Sequence, residues 1–191
     1  MRKDIIYFDT PGPANTDGVI AAVAARREEL GIDHIVVASN SGATALKLCD
    51  ALQGTGTAIV SVAEHAGWRG DDESSISPEA RRDLEARGVT VYIGSHALSG
   101  VARSISNKFG GVSHVEIIAH TLRRFGQGMK VAVEIAIMAA DAGLVPTTRS
   151  IICIGGSGAG ADCAVVLRAA HMNGFFDMEI REIIAMARTE G

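Results

Sequence analysis

The sequence predicts an α/β fold in which a mostly parallel sheet lies between two layers of helices, as a three-layer sandwich. Short apolar segments alternate with amphipathic helical segments along most of the 191 residues. The segment 34–38 is apolar from Ile35 onward, which is typical of a central parallel strand covered on both faces. Strands and helices that alternate in this way form parallel sheets with right-handed crossovers.

The elements of the first half are bounded by clear turn and cap residues. Asn15 or Thr16 is expected to begin a helix that Gly31 ends, and Ser77-Pro78 places proline at the first position of a later helix. The predicted order is strand 4–9, helix 15–30, strand 34–38, helix 43–52, strand 57–63, a helix from Pro78 that Gly88 closes, and strand 89–93.

The second half has a less regular pattern between residues 95 and 128, where small residues and glycines are frequent. Ser113 is expected to cap a helix in this region. The predicted order beyond it is a long apolar helix 129–142, strand 150–154, a short strand 163–167 and a C-terminal helix 178–186.

Length and composition are those of one compact domain, and residues 1–191 are predicted to form it. With 47% hydrophobic residues the chain can bury a sizeable core. A formal net charge of −4 and the absence of a basic run argue against nucleic-acid binding. No stretch reaches the ~18 uninterrupted apolar residues of a membrane span. The chain opens with Arg2 and Lys3 before a strand, so a cytoplasmic location without membrane contact is expected.

Neither a metal site nor a disulfide is predicted. Cys49, Cys153 and Cys163 are odd in number and lack CxxC spacing, so they are expected to be small buried hydrophobic residues. His114 and His120 do not have the spacing of an HExxH zinc motif.

Five polar loops are expected to meet at one edge of the sheet. Ligands of such sheets bind beyond the carboxyl ends of the strands. The loops that follow the first five predicted parallel strands read TPGPANT, SNSGAT, EHAGW, SHALSG and GGSGAGAD. The sequence therefore predicts a small-molecule site at this edge.

The second of these loops has the residues of a phosphate site. The first amides of a helix have no intrahelical partner, and together with the helix dipole they attract anions. Gly42 would let the backbone approach a phosphate, and Ser39, Asn40, Ser41 and Thr44 would add donors. The alternative is an ordinary turn in which Ser41 only caps its helix. Walker A spacing and its lysine are absent.

The last loop, GGSGAGAD, is predicted to close over the ligand as a flexible segment rich in donors. It can be matched to the GxGxxA fingerprint, but that motif belongs in the first βα turn of a dinucleotide fold. Its candidate binding residues are Gly155, Gly156, Ser157, Gly158 and Asp162.

Long segments of the chain resemble a known family. GIDHIVVASNSGATALKL and AADAGLVPTTRSIICIGG with GADCAVVLRA are similar to segments of the pyruvate kinase C-terminal domain. A closer resemblance is to small stand-alone proteins with that fold and of uncertain function. It is carried by YFDTPGPANT, VVASNSGATA, SHALSGVARSISNKFGGVS, VEIAIMAADAGLVP and AAHMNGFFDMEIREII.

The resemblance implies a three-layer α/β/α fold with a mixed sheet and a bound flavin mononucleotide (FMN). In pyruvate kinase the matching turn holds a phosphate of the allosteric sugar bisphosphate. By this likeness Ser39, Asn40, Ser41, Gly42 and Thr44 would hold the FMN phosphate. Asn40 and Ala43 replace the lysine and arginine of the kinase turn, so a bisphosphorylated sugar would be held less strongly.

The helix 129–142 and the loops contain further candidates for the site. Glu134 could bond a flavin hydroxyl, or it could form a solvated i, i+4 pair with Lys130 on one helical face. His65 and His96 follow strands and could act as donors, acids or bases, or be ordinary loop histidines. The remaining candidates near the ligand are Asn15, Ser95, Trp68, Leu98 and Met138, the last three as apolar walls for a flat ring.

The resemblance, taken with the polar loops, therefore implies an FMN-binding flavoprotein that holds a phosphorylated small molecule. If the protein is an enzyme, hydride or electron transfer through FMN is expected, and no catalytic residue can be named. The alternative is a regulatory module that senses a phosphorylated metabolite without catalysis. The segment HMNGFFDMEI is expected to bury its phenylalanines against the sheet or against a second subunit in a homo-oligomer.

Overall fold

The computed structural model describes residues 3–68 and 70–188, which form one seven-stranded sheet with helices on both faces. Short 3₁₀ turns lie at Pro13–Asn15, Arg123–Phe125 and Met172–Asp177. The strands and helices in chain order are β1 (Ile6–Phe8), α1 (Thr16–Leu30), β2 (His34–Ala38), α2 (Ala43–Ala51), β3 (Ala58–Glu64), α3 (Pro78–Ala86), β4 (Thr90–Gly94), α4 (Val101–Phe109), α5 (His114–Leu122), α6 (Gln127–Asp141), β5 (Ile151–Gly155), β6 (Cys163–Arg168) and β7 (Glu179–Ala187).

The sheet is mixed and mostly parallel, which confirms the predicted fold class. Its strand order is β1-β7-β6-β5-β2-β3-β4. Only β6 among these strands runs against its neighbours, since it pairs antiparallel with β5 and β7 while the other adjacent pairs are parallel. The remaining six strands therefore end at the same edge of the sheet.

The predicted C-terminal helix 178–186 is wrong, because this segment forms β7. Ile180, Ile183 and Ile184 have helical spacing, and the surrounding Glu, Met and Ala residues are good helix formers. In the fold, however, the segment lies between two strands, so that Ala185 pairs with both β1 and β6. Main-chain hydrogen bonding on both sides overrides the local propensity.

An apolar core lies between each face of the sheet and the helices that pack on it. Helices α1, α2 and α3 cover one face, and α5 and α6 cover the other. Along β2, Ile35 and Val37 pack into the first core and Val36 into the second. This alternation explains why β2 is apolar at successive positions.

Several predicted helix ends are confirmed. Gly31 ends α1 with a φ of 62°, and the Ser77 hydroxyl accepts a hydrogen bond from the Ala80 amide at the start of α3. Ser113 caps α5 in a capping box with Glu116. These helix ends could be predicted from the sequence because each depends on residues within one turn of the helix end.

The segment before β7 buries one of its two phenylalanines. Phe175 packs against the core under α6, whereas the side chain of Phe176 is 87% exposed. Contact of this segment with a second subunit stays a prediction.

The three cysteines are free thiols in the described structure. Cys153 and Cys163 are buried, as expected, and Cys49 is half-buried. Burial raises the pKa of the Cys153 thiol strongly and that of Cys163 to about 12. Both buried thiols are therefore protonated and unreactive near neutral pH. Within residues 3–68 and 70–188, no helix combines the length and the apolar character that crossing a bilayer requires.

Helix α6 approaches the sheet closely through two glycines. A Cβ atom on Gly155 would lie 2.8 Å from the Ala132 nitrogen and closer still to the Gly128 carbonyl oxygen. A Cβ atom on Gly128 would lie 2.6 Å from the Cys163 Cβ. Gly155, predicted as a ligand-binding residue, thus serves helix–sheet packing.

Gly155→Ala should destabilise the protein by about 3 kcal/mol or more, because the new methyl meets main-chain atoms that cannot move without shifting α6. Urea denaturation measures the change. The control is Gly18→Ala in α1, where the methyl would meet only the Phe8 ring at 3.2 Å and the change should stay below about 1 kcal/mol. Equal midpoints for Gly155→Ala and the parent protein would contradict this packing argument.

Candidate functional site

A cleft of about 450 Å³ opens at the edge where β2, β3 and β5 end. Its volume lies in the range of small-molecule sites. The walls come from the turn before α2, the ends of β2 and β3, the loop after β3, helices α4 and α6, and the glycine loop after β5. The predicted site residues that line it are Ser39, Asn40, Ser41, Thr44, Trp68, His96, Glu134, Met138, Gly156 and Gly158.

The two serines before α2 already bond amides of that helix. The buried Ser39 donates its N–H to the Val62 carbonyl at 2.9 Å, and its Oγ accepts from the Ala45 amide at 3.3 Å. The Ser41 Oγ accepts from the Ala43 amide at 3.4 Å. The expectation that the first amides of this helix are all free is therefore corrected: the first and third are occupied.

Donors toward the cleft nevertheless remain at this turn. Thr44 has the second helical amide, and within the described residues this amide and those of Ser41 and Gly42 have no hydrogen-bond acceptor. A hydroxyl that accepts one hydrogen bond can still donate its own proton. The hydroxyls of Ser39 and Ser41 each accept a helix amide and can therefore also donate a hydrogen bond to a ligand. The hydroxyl of Thr44 adds another donor, and the helix dipole favours an anion there.

Asn40 and Gly42 shape the turn. The Asn40 Oδ1 accepts from the Glu64 amide at 3.1 Å, which ties the turn to the end of β3. Gly42 has a φ of 85°, a conformation that side chains disfavour. A Cβ on Gly42 would point at Ala80 and Leu84 of α3, each at 3.4 Å. Gly42 does not line the cleft, and its role is the turn rather than the close approach of a phosphate.

Lys130 and Glu134 form a buried ion pair on the α6 wall. Each side chain is only 5% exposed, so the alternative of a solvated pair on a helix edge is wrong. The Glu134 Oε1 also accepts the Leu98 amide at 2.8 Å, which fixes the loop after β4 against α6. Leu98 itself is buried and does not line the cleft. Burial lowers the pKa of the Lys130 ammonium, although the Glu134 carboxylate acts in the opposite direction.

Two aromatic rings, Trp68 and His96, line one end of the cleft, and a third ring, His65, packs against them from outside it. The centroid of the Trp68 ring lies 4.5 Å from that of His96 and 5.7 Å from that of His65. His65 lies outside the cleft and contacts the Trp68 ring edge-on. Burial lowers the pKa of His96, with smaller contributions from nearby charges, so its imidazole is neutral near pH 7.

The structure adds cleft residues that the sequence analysis did not single out. Arg103 and Arg123 line the cleft beside Lys130, and the Arg123 Nε donates to the Gln127 Oε1 at 2.7 Å. Both arginines lie in the region 95–128, where no clear strand or helix pattern indicated which residues face the site.

Hydrogen bonds within the protein fix the conformation of the glycine loop after β5. The Asp162 Oδ2 accepts the amides of Gly12 and Ser157, both at 3.0 Å. The Thr16 hydroxyl accepts the Ala161 amide at 3.0 Å. Asp162 and Ser157 do not line the cleft, so Asp162 organises the loop instead of facing a ligand as predicted.

Two further predicted residues lie away from the cleft. The Asn15 Nδ2 donates to the Thr10 carbonyl at 2.7 Å, and the side chain makes no cap bond to α1. Ser95 is exposed and does not line the cleft. Among the described residues, no group of three or more His, Cys, Asp or Glu is placed to hold a metal ion.

Comparison with known proteins identifies a family. The family model described as pyruvate kinase, alpha/beta domain, matches residues 17–167. A solved structure of Cryptosporidium parvum pyruvate kinase in complex with ADP is similar at 17% identity and a TM-score of 0.39. The match covers 81% of this chain and 23% of that chain, so the chain spans under a quarter of the kinase.

Asp162→Ala should lower the free energy of unfolding by about 3 kcal/mol, because it leaves the amides of Gly12 and Ser157 without their acceptor. Asp162→Asn keeps an acceptor oxygen and should cost less than half as much. Urea denaturation of both variants measures the difference. An Ala variant as stable as the parent protein would show that Asp162 does not hold the loop.

His96 should make the protein lose stability as the pH falls. Its pKa is lowered in the folded state, so the unfolded chain takes up the proton first. The contribution to stability is therefore complete above the unfolded pKa of about 6.5 and is lost as the pH falls through the folded pKa. Between about pH 7 and pH 5 the parent protein should lose more stability than His96→Gln. Equal losses in the two proteins, measured by urea denaturation, would contradict the assignment.

Proposed function

The chain belongs to the family of the pyruvate kinase alpha/beta domain, and we propose that it binds a phosphorylated small molecule in the cleft, with FMN as the ligand. The observation that carries the proposal is the contrast between two parts of this cleft. One part presents hydroxyl and amide donors at a helix N-terminus, and another presents aromatic and apolar side chains. A phosphate attached to a flat ring system needs both.

The donors before α2 suit the phosphate of FMN. The amide and hydroxyl of Thr44 and the hydroxyl of Ser41 are small, and they lie where the α2 dipole favours negative charge. The turn contains no lysine or arginine, so the phosphate would be held by neutral donors. The buried Ser39 hydroxyl lines the same part of the cleft and can donate a further hydrogen bond to the phosphate.

The α6 wall and the aromatic cluster suit the ring. Val131, Ile135 and Met138 follow one another at i, i+4 and i+7, so they share one face of the helix, and all three line the cleft. Trp68 and His96 add flat surfaces at one end. Such a wall shields an isoalloxazine ring from water, while a few polar groups fix its orientation.

The chain's own residues then bind and orient the cofactor. Bound FMN supplies hydride or electron transfer, which no side chain can provide. The neutral His96 imidazole can donate or accept one hydrogen bond within the cleft. Lys130 brings a positive charge whose partner carboxylate is fixed by the Leu98 amide.

The first experiment is a visible spectrum of the purified protein, followed by titration with FMN. We expect flavin absorption or saturable quenching of FMN fluorescence at one site per chain. A colourless protein that binds no FMN, but whose Tm rises with sugar phosphates, would replace this proposal with non-catalytic sensing of a phosphorylated metabolite.

Thr44→Val should weaken FMN binding about tenfold, because it removes a hydroxyl that donates to the phosphate and keeps the shape of the side chain. Riboflavin, which has no phosphate, should bind the parent protein and this variant equally. The control is Thr121→Val on α5, where the hydroxyl bonds the Ile117 carbonyl and is exposed. If both variants bound FMN as the parent protein does, the phosphate would lie elsewhere.

A further inference from the structure

A second part of the cleft presents charged side chains, whereas the turn before α2 presents only neutral donors. Arg103 from α4, Arg123 from the 3₁₀ turn after α5 and Lys130 from α6 line the cleft from the other helix layer. Two carboxylates, Glu64 and Glu134, face the same cavity, and Glu134 is paired with Lys130. The cavity therefore contains more positive than negative side chains, although the chain as a whole carries a net charge of −4.

Neither arginine forms a salt bridge among the described residues, although the Arg103 charge is near enough to Glu116 of α5 to help lower the pKa of its carboxyl. The Arg103 guanidinium lies over Trp68, with its Cζ 5.5 Å from the ring centroid, and Arg123 bonds the neutral amide of Gln127. Most other arginines of the described chain form a salt bridge, namely Arg26, Arg81, Arg82, Arg87, Arg149, Arg168, Arg181 and Arg188.

The direct contacts of both guanidinium groups are with neutral side chains, so neither group is neutralised by a salt bridge. Contact with a tryptophan face and one bond to a side-chain amide leave most of the N–H groups of each arginine free. The positive charges also affect each other, since Arg123 and Arg103 add to the effect of burial in lowering the pKa of Lys130. A bound anion would relieve this repulsion and could be held bidentately.

We propose that Arg103 and Arg123 bind the carboxylate or phosphate group of a second small molecule, the reaction partner of the cofactor. This inference rests on the proposed function, in which the turn before α2 already holds the cofactor phosphate. The two positions differ in kind, because one offers neutral hydroxyl and amide donors and the other offers guanidinium groups. The reaction partner is therefore an anionic substrate rather than a neutral one.

The test uses the FMN-loaded protein with malonate and inorganic phosphate as probes and neutral malonamide as the blank. Binding near the flavin is measured as a saturable change in its absorption spectrum. We expect one or both anions to bind and malonamide not to bind. Whichever anion binds more tightly identifies carboxylate or phosphate as the recognised group.

Arg103→Gln and Arg123→Gln should each weaken binding of that anion about tenfold and change FMN affinity less than threefold. Arg103→Lys and Arg123→Lys should fall between these variants and the parent protein, since they keep the charge and lose the bidentate geometry. The matched control is Arg124→Gln, which removes an exposed arginine next to Arg123 that does not line the cleft. Anion binding that is equal in all five variants would overturn the inference, as would an equal loss of FMN and anion affinity.

Failure of the proposed function and failure of this inference are separable by melting the flavin-free protein with the same probes. Suppose that FMN never binds, and that malonate or phosphate raises the Tm of the parent protein and of Arg124→Gln but not that of the Arg103 and Arg123 variants. The arginine site then stands without the cofactor. If FMN binds and neither anion has any effect on the Tm or the flavin spectrum, the arginine site is wrong and the cofactor site stands.

Discussion

The common direction of six strands is the constraint on which the rest of the structure depends. Parallel strands need helical crossovers, and these bury both faces of the sheet in apolar cores. Polar side chains then gather mainly where the strands end. Most of the buried polar residues do lie there, among them Thr16, Ser39, Thr44, Lys130, Glu134 and Asp162.

The Lys130–Glu134 pair is a buried ion pair, and burying two charges carries a desolvation penalty. Two charges buried at 5% exposure lose most of their hydration, and an apolar pair of similar volume would often give equal or greater stability. Glu134 recovers part of that cost by accepting the Leu98 amide. Stability therefore does not explain the pair, and under the proposed function it orients a polar ligand in the cleft.

Local patterns in the sequence were sufficient for most of the fold and for the edge at which the cleft lies. Strand β2 and helix α2 follow from hydrophobic pattern and turn residues that lie within a few positions of each other. The sequence did not show that the Ser39 hydroxyl accepts a hydrogen bond from the Ala45 amide, because the two residues are six positions apart. Asp162 bonds the amide of Gly12 across 150 positions, and β7 is a strand only because two distant strands flank it. Arg103 and Arg123 were missed since nothing local shows which face of their segments meets α6.

We propose that the phosphate of FMN binds at the amide of Thr44, which has no acceptor within the described residues. A ¹H–¹⁵N correlation spectrum of the labelled protein, recorded during titration with FMN, tests it most directly. We expect the amide resonances of Thr44 and Ser41, which both line the cleft, to shift most, with that of Ala45, already bonded to Ser39, shifting less. Saturable shifts confined to other parts of the sheet, with the Thr44 amide unmoved, would contradict it.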